Sequence, residues 1–184
     1  SIEIAKKNNP DKNIRFLQLD ATKMNLDSKF DYVFSIGVIH HIPKAEEAVK
    51  NIYNSLKNGG EFIMWVYGYE NNKLYVYLFN NLRKILSRLP DFIVEIFSFI
   101  FTLATYVYIF FCKFINLPLR KYFLNIFSKF SFRHKFYVIF DQLNPKYSKY
   151  YKKEEVEKLL IDANFKILDI HHRDEYSWTA IAKK

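Results

Sequence analysis

Two apolar segments with a helical stripe between them form the clearest pattern in the chain. Residues 32–36 and 62–66 are apolar on both faces, which is typical of strands buried between two layers of helices. Between them, apolar residues recur at the three- and four-residue spacing of one helix face: Ala45, Ala48, Val49, Ile52, Tyr53 and Leu56. Gly59 is expected to end this helix in a left-handed conformation. A strand, a helix and a second strand predict a right-handed crossover in a parallel sheet.

The rest of the chain has the same alternation on both sides of a long helical segment. Residues 1–9 predict the last turns of a helix, and residues 14–19 predict a strand that ends at Asp20. After Gly68 the pattern predicts helices only, over these stretches: residues 74–89 with an apolar stripe of leucine and isoleucine, 92–117, 119–130 and 132–143. A further helix around residues 156–163, with Asn164 as its left-handed cap, precedes strands at 165–170 and 178–182.

Charge separates the middle of the chain from its two ends. Residues 71–150 hold 12 Lys and Arg against 3 Asp and Glu, whereas residues 1–70 and 151–184 are each neutral overall. The same middle segment contains 22 of the 35 aromatic residues. We therefore expect two parts, an α/β core over residues 1–70 and 145–184 and a basic, aromatic helical insertion over residues 71–144.

Several of these motifs resemble those of the class I S-adenosylmethionine-dependent methyltransferases. The motif FDYVFSIG at residues 30–37 is similar to the fourth strand of that family, and VIHHI at residues 38–42 to the loop that follows it. The motif LKNGG at residues 56–60 is similar to the entry of the fifth strand. The resemblance implies an α/β fold with a partial Rossmann-like sheet, helices on both faces and a helical insertion after the fifth strand.

The resemblance also implies S-adenosylmethionine as cofactor and places its binding edge. Asp20 stands where the family has an acidic residue near the adenine, and its carboxylate suits the exocyclic amine. Ala21 or Thr22 can offer the next backbone amide to the ring nitrogen. Open parallel sheets bind ligands beyond the carboxyl ends of their strands, which adds Ser35, Gly37 and His40 to the predicted cofactor site.

The chain departs from the family in one respect. Its four glycines form no glycine-rich loop of the kind that binds the amino acid part of the cofactor, and the ribose-binding acid of the second strand is absent. The sequence is therefore interpreted as an amino-terminally truncated methyltransferase. We expect these 184 residues to be poorly stable and to bind the cofactor weakly or not at all.

The candidate catalytic and substrate-binding residues are histidines and polar residues of the insertion, together with Tyr67. His40 or His41 could serve as a general base, because histidine titrates near neutrality. Tyr67, at the end of the fifth strand, is a candidate substrate-binding residue. His134 and Asp141 are further candidates if the insertion folds over the mouth of the sheet. No pair of histidines has a zinc spacing and the chain has one cysteine, so no metal site is predicted.

Residues 92–112 allow three interpretations. They form a stretch of 21 residues in which Glu95 is the one charge, and about 20 apolar residues are enough to cross a membrane. They could form a helical cap over the active site, a helix lying on an anionic membrane, or a membrane span. In the second reading, these cations face lipid: Lys113, Arg120, Lys121, Lys129, Arg133 and Lys135. The span is disfavoured, since the flanking strands must meet in one sheet. We expect a cytoplasmic protein, peripheral at the inner membrane surface in the second reading.

The sequence therefore predicts methyl transfer from S-adenosylmethionine to a small, lipophilic or aromatic acceptor. Two alternatives remain open from the residues alone. One is a non-enzymatic α/β domain that associates with membranes through its basic aromatic helices. The other, less favoured, is an RNA methyltransferase, since a net charge of +9 is also a signal for phosphate binding. The basic residues form no arginine-rich arm, so nucleic acid is the weaker partner.

Overall fold

The computed structural model describes residues 2–9, 11, 13–26 and 29–184. Its strands are β1 (Phe30–Ile36), β2 (Leu56–Tyr67), β3 (Lys166–Arg173) and β4 (Ser177–Lys183). Its α-helices are α1 (Ile2–Asn8), α2 (Ala45–Ser55), α3 (Lys73–Leu86), α4 (Asp91–Cys112), α5 (Arg120–Asn125), α6 (Phe132–Leu143) and α7 (Lys153–Asp162). Single 3-10 turns occupy Ile39–His41 and Phe127–Lys129.

The four strands form one mixed sheet in the order β1-β2-β4-β3. β1 pairs with β2 in parallel, and β4 lies antiparallel between β2 and β3. The predicted strand–helix–strand crossover is thus present as β1, α2 and β2. The α/β fold class predicted from the sequence is confirmed.

The core of this sheet depends on the alternation along β2. Phe62, Met64 and Val66 are fully buried and belong to one apolar cluster with residues of α2 and α7. Trp65 and Tyr67 point to the opposite side and are only partly buried. One face of β2 therefore stabilises the core, while the other is free to shape a site.

The predicted role of Gly59 as the end of α2 is wrong. The helix already ends at Ser55, and Leu56 is extended and begins β2. Gly59 does have a positive φ of 82°, but it lies inside β2, where the register with β1 shifts. The physical reason is at the far end of the chain: Gly59 donates to Lys184 and Gly60 accepts from it, which draws these residues into the sheet.

The strand predicted at residues 14–19 is also absent. Leu17 and Leu19 are about half exposed, and no described strand pairs with the free edge of β1. A strand needs a neighbour to satisfy its backbone groups, and this segment has none in the sheet. It therefore stays irregular despite its apolar residues.

The helices α3 to α6 form a second layer with its own apolar cluster. Its fully or nearly buried members are Leu86, Val94, Phe127, Ile139 and Leu143. The helix predicted over residues 119–130 is broken, because α5 ends at Asn125 and Ile126 has non-helical dihedral angles. The break turns Phe127 into the cluster, where its ring contacts Phe123 and Phe130.

The apolar stripe predicted for α3 faces inward only in part, since Leu86 of that stripe is buried and Leu82 packs against the apolar cluster. Leu74, Leu78 and Ile85 are more than half exposed, while Val76, Arg83 and Leu86 are buried. Arg83 is drawn inward because its guanidinium donates to the carbonyl of Gln142, in the last turn of α6. Cations are favoured at that end of a helix by the backbone dipole.

A pair of phenylalanine substitutions tests the placement of the core. Phe62→Ala should lower the free energy of unfolding by about 3–5 kcal/mol, because it leaves a cavity beside Phe165 and Tyr53. Phe34→Ala is the matched control on β1, where the ring is 65% exposed, and should cost less than about 1 kcal/mol. Urea unfolding followed by circular dichroism measures both, and equal losses would contradict this core.

Candidate functional site

Three predicted cofactor residues lie at the carboxyl end of β1. Ser35 is the second-last residue of β1 and is buried. Gly37 follows the strand with a φ of 73°. The amide of Gly37 donates to the carbonyl of Trp65 at 3.2 Å, which ties this loop to β2. A positive φ at this place favours glycine, since side chains with a Cβ are strained there. The chain then turns directly into the 3-10 turn that carries His40 and His41.

The predicted adenine-binding loop is held against α2. Oδ1 of Asp20 accepts from the backbone amide of Thr22 at 2.9 Å and from its hydroxyl at 2.8 Å. These hydrogen bonds, aided by Lys23 and Lys44, lower the pKa of Asp20 below its usual value. Asn51 of α2 donates to the carbonyl of Ala21 at 3.0 Å. The loop therefore carries an ionised carboxylate. The loop lies near the start of α2, since the charge that acts on Asp20 includes that of Lys44, which directly precedes α2.

His40 is the most enclosed polar side chain of the site. It is fully buried, and both ring nitrogens lack a hydrogen-bond partner among the described residues. Its ring lies 3.9 Å from the centroid of Tyr67 and 4.3 Å from that of His41. Burial, with a smaller contribution from His41 and Arg83, lowers the pKa of His40 to about 3. The imidazole is neutral at physiological pH and too weak a base to take a proton there, which disfavours the predicted base role for this ring.

His41, Tyr67 and Asp141 meet at the top of β2. The hydroxyl of Tyr67 donates to Oδ2 of Asp141 at 3.3 Å, and Nε2 of His41 lies 4.0 Å from the same oxygen. Nδ1 of His41 lies 3.0 Å from the carbonyl of Tyr147, which orients the ring. Burial, reinforced by Asp141, raises the pKa of Tyr67 well above its usual range, so the phenol remains a donor. Asp141 thus accepts a hydrogen bond from Tyr67 on one side.

A buried polar network supports this cluster, and the sequence analysis did not find it. The side chain of Gln142 donates to the Tyr67 hydroxyl and accepts from Tyr75 at 3.1 Å and from Tyr150 at 2.9 Å. Arg83 bonds the backbone of Gln142 and the hydroxyl of Tyr150. The sequence did offer a signal for Arg83, because it is a charged residue between apolar residues of a predicted helix. Gln142 carried no such signal, because its partners come from three other elements.

The cluster borders a cavity of about 810 Å³ between the sheet and the helical layer. Trp65 and Tyr67 of β2 form its floor, and α3, α4, α5 and α6 supply most of its wall. The polar groups on its lining include Asp141, Gln142 and His134, while most lining residues are apolar or aromatic. Ligand pockets usually have this composition, a few polar groups in an apolar enclosure.

The structure therefore brings some predicted site residues together and leaves others apart. All three candidate substrate residues, Tyr67, His134 and Asp141, line the same cavity. His40 and His41 do not line it and lie behind Tyr67 and Asp141. The roles assigned to Asp20, Ala21, Thr22, Ser35, Gly37 and His40 at the cofactor edge stay predictions. The same holds for the roles of His41 and the cavity residues.

Comparison with known proteins agrees with this architecture. A family model described as a methyltransferase domain matches residues 1–64. Phosphoethanolamine N-methyltransferase 2 of Caenorhabditis elegans is 48% identical over 42 residues, which is 23% of this chain and 10% of that protein. The matched segment thus spans about a tenth of the length of that curated relative.

Solved structures show the same fold at low identity. S-adenosylmethionine-dependent methyltransferases from Methanosarcina mazei and Mesorhizobium loti match with TM-scores of 0.52 and 0.53, at 14% and 12% identity. These matches cover 100% and 98% of this chain and 76% and 74% of the other chains.

A third match is 1,6-didemethyltoxoflavin-N1-methyltransferase from Burkholderia thailandensis, with a TM-score of 0.51 and 12% identity. It covers 99% of this chain and 55% of the other, and that structure contains S-adenosylhomocysteine. Together with the family model, these structures confirm the resemblance to class I S-adenosylmethionine-dependent methyltransferases, and they show that the fold is shared.

The buried state of His40 predicts a specific pH dependence of stability. The native state holds the neutral ring, whereas the unfolded chain takes up a proton below its ordinary pKa of 6.5. The advantage of the native state is therefore complete above pH 6.5 and declines as the pH falls toward 3. The loss should be about 1 kcal/mol per pH unit in that window.

His40→Leu serves as the reference, because it removes the titrating group and keeps an apolar side chain at a buried position. The difference in unfolding free energy between wild type and variant should shift against the wild type from pH 6.5 to pH 4.5. Chemical denaturation at a series of pH values measures this difference. A difference that stays constant with pH would show that His40 is not held neutral.

Proposed function

We propose that this chain, with its methyltransferase fold, contributes to S-adenosylmethionine-dependent methyl transfer to a small lipophilic or aromatic acceptor. The observation that carries the proposal is the position of the apolar cavity. Its floor is formed by Trp65 and Tyr67, at the carboxyl end of β2. Ligands of open α/β sheets bind at that edge, and Gly37 ties the neighbouring end of β1 to it.

The residues present fit one half of the cofactor. Asp20 keeps an ionised carboxylate on an exposed loop, and the loop is fixed to α2 by Asn51. A carboxylate can accept from an adenine amine, while Ser35 and Gly37 lie at the strand end where an adenosine would rest. The described residues offer no glycine-rich loop for the amino acid half. When bound, the cofactor supplies an electrophilic methyl group, and the chain's own residues hold and orient the reactants.

The cavity sets the chemical class of the acceptor. An apolar enclosure of about 810 Å³ favours a molecule with a substantial hydrocarbon or aromatic part. Tyr67 and Gln142 offer fixed hydrogen-bonding groups at one end of it. Holding two reactants in line can supply roughly 7–11 kcal/mol of the barrier reduction. Positioning by this cavity is therefore the main contribution that we assign to the insertion.

A proton acceptor is needed only where the acceptor atom must lose a proton. Among the site residues, Asp141 is the ionisable carboxyl group on the cavity wall, and Tyr67 and His41 flank it. We assign Asp141 the role of accepting that proton, with His41 as a positioning residue behind it. His40 contributes by packing under Tyr67 and not by proton transfer.

A non-enzymatic role remains the second candidate. The helices α3 and α4 expose many apolar side chains, which a membrane-associating domain would also do. This reading explains the exposed face but gives no account of an apolar cavity at the carboxyl end of β2. Methyl transfer accounts for the cavity, so we place it first.

Binding of adenosine compounds tests the cofactor half. We expect 5′-methylthioadenosine and S-adenosylhomocysteine to bind these 184 residues with similarly weak affinity, since the contacts come from the adenosine edge. Asp20→Asn should weaken both by about fivefold, because the amide keeps an acceptor oxygen but removes the charge that strengthens its hydrogen bond. Asp11→Asn is the matched control, because Asp11 also accepts from a backbone amide two residues on. Chemical-shift titration by NMR measures these affinities.

Three results would contradict the assignment of the cofactor half. S-adenosylhomocysteine bound far more tightly than 5′-methylthioadenosine would contradict the half-site. Binding that does not respond to Asp20→Asn, or no binding of either compound, would contradict the assigned adenosine edge.

A cavity-filling substitution tests the acceptor site. Ala104→Trp places an indole on the cavity wall and should lower the affinity of N-phenyl-1-naphthylamine, an uncharged aromatic probe, at least about tenfold. Asn81→Trp adds the same side chain at an exposed position outside the lining and should leave the affinity unchanged. Probe fluorescence gives both values. Equal affinities in the two variants would show that the probe binds elsewhere.

A further inference from the structure

The polarity of α4 is the reverse of that of a helix packed in a water-soluble protein. Its buried residues include Ser98 and Thr102, which face the interior at a spacing of four residues with Val94 before them. The hydroxyls donate to carbonyls of α4 itself, Ser98 to Val94 at 2.7 Å and Thr102 to Ser98 at 2.6 Å. They therefore contribute no polar contact to a neighbouring helix. The small side chains of Val94, Ser98 and Thr102 let α4 pack closely against α6, the helix with which it makes its main contact.

The outward face of α4 carries the large apolar side chains. The exposed set consists of Phe92, Ile96, Phe97, Phe99, Ile100, Leu103, Tyr106, Val107, Phe110 and Phe111, followed by Phe114 and Ile115 just beyond the helix. A surface helix ordinarily presents polar residues to water and apolar ones to the core. A contiguous apolar surface of this extent marks an interaction site.

Basic residues border one end of this face. Lys113 directly follows α4 and is exposed, whereas the exposed Lys121 on the next helix pairs with Glu175 at 2.5 Å. Arg120 is held at the same end, because its Nε donates to the carbonyl of Cys112 at 2.6 Å. The segment that contains α4 also holds the whole positive excess of the chain. Such cations complement the anionic headgroups of a cytoplasmic membrane leaflet.

The sheet decides how α4 can meet a bilayer. Among the described helices, α4 is long and apolar enough to span a membrane by length and composition. However, β2 precedes α4 and β4 follows it, and these two strands are hydrogen-bonded neighbours. A single crossing would separate them, and α6, at 12 residues or about 18 Å, is too short to return across the hydrocarbon. A bilayer could therefore meet α4 only along the helix, with the helix lying on the membrane surface.

We propose that the outward face of α4 inserts into the interface of an anionic membrane, parallel to its plane, with Lys113 and Arg120 at the headgroups. The occupant of the exposed face is lipid. Interfacial helices bind in this way through buried apolar area together with attraction to anionic lipid. The inference does not depend on methyl transfer, because it rests on the polarity of α4, the position of the cations and the pairing of β2 with β4.

Vesicle sedimentation tests the proposal with the whole 184-residue chain. Vesicles of phosphatidylcholine with a quarter phosphatidylglycerol should bind the wild type at least about tenfold more tightly than vesicles of phosphatidylcholine alone. The double variant Ile100→Asp, Val107→Asp should lose at least about tenfold in affinity for the anionic vesicles. Ile161→Asp on α7 is the matched control, because Ile161 is 59% exposed and Val107 is exposed to the same 59%. It should bind as the wild type does.

The cations are tested separately. Lys113→Gln should weaken binding to anionic vesicles by about fivefold and leave binding to neutral vesicles unchanged. Lys158→Gln on α7 is the control for removing an exposed lysine. Circular dichroism of every variant checks that the fold is retained.

Three results would overturn the proposal. The first is vesicle binding that the α4 double variant does not reduce. The second is a folded chain that binds neither type of vesicle. The third is a concentration-dependent dimer, seen by analytical ultracentrifugation, that the α4 variant abolishes in the absence of vesicle binding, since a second copy would then cover the face.

Discussion

The structure depends on β2, which is the one strand that joins all of its parts. It pairs with β1 on one edge and β4 on the other, so it connects the elements before the helical layer with those after it. Its buried face supplies Phe62, Met64 and Val66 to the core, and its other face supplies Trp65 and Tyr67 to the cavity. The strict alternation of side chains along a strand makes both roles possible at once.

A second constraint is the need to satisfy polar groups buried between the sheet and the helices. Arg83, Gln142 and Tyr150 are buried there and bond to one another, which fixes α3 and α6 relative to the end of β2. His40 is one exception, because its ring nitrogens have no hydrogen-bond partner among the described residues and it stays neutral beneath Tyr67. The hydrogen bond of Tyr67 to Asp141 is thus set by packing below and by the network beside it.

The two faces of the helical layer differ in their surroundings, since one faces the sheet and the other faces away from it. Toward the sheet it encloses the cavity, with Thr105 of α4 among the lining residues. Away from the sheet, α4 presents a large apolar surface that water solvates poorly. A lipid surface on one side and an apolar acceptor on the other are compatible, since both follow from the same shortage of polar residues on α4.

Local sequence signals determined the elements whose neighbours are close in the chain. The crossover from β1 to β2, the helix α7 with Asn164 at its end and the final hairpin follow from periodicity and turn residues alone. Only the tertiary structure decided that residues 14–19 stay irregular and that β2 begins at Leu56, since both depend on which backbone groups find distant partners. The same reason explains the site. His40, Tyr67 and Asp141 were candidates by type and position, but the burial that neutralises His40 and the partner Gln142 come from elements far apart in the chain.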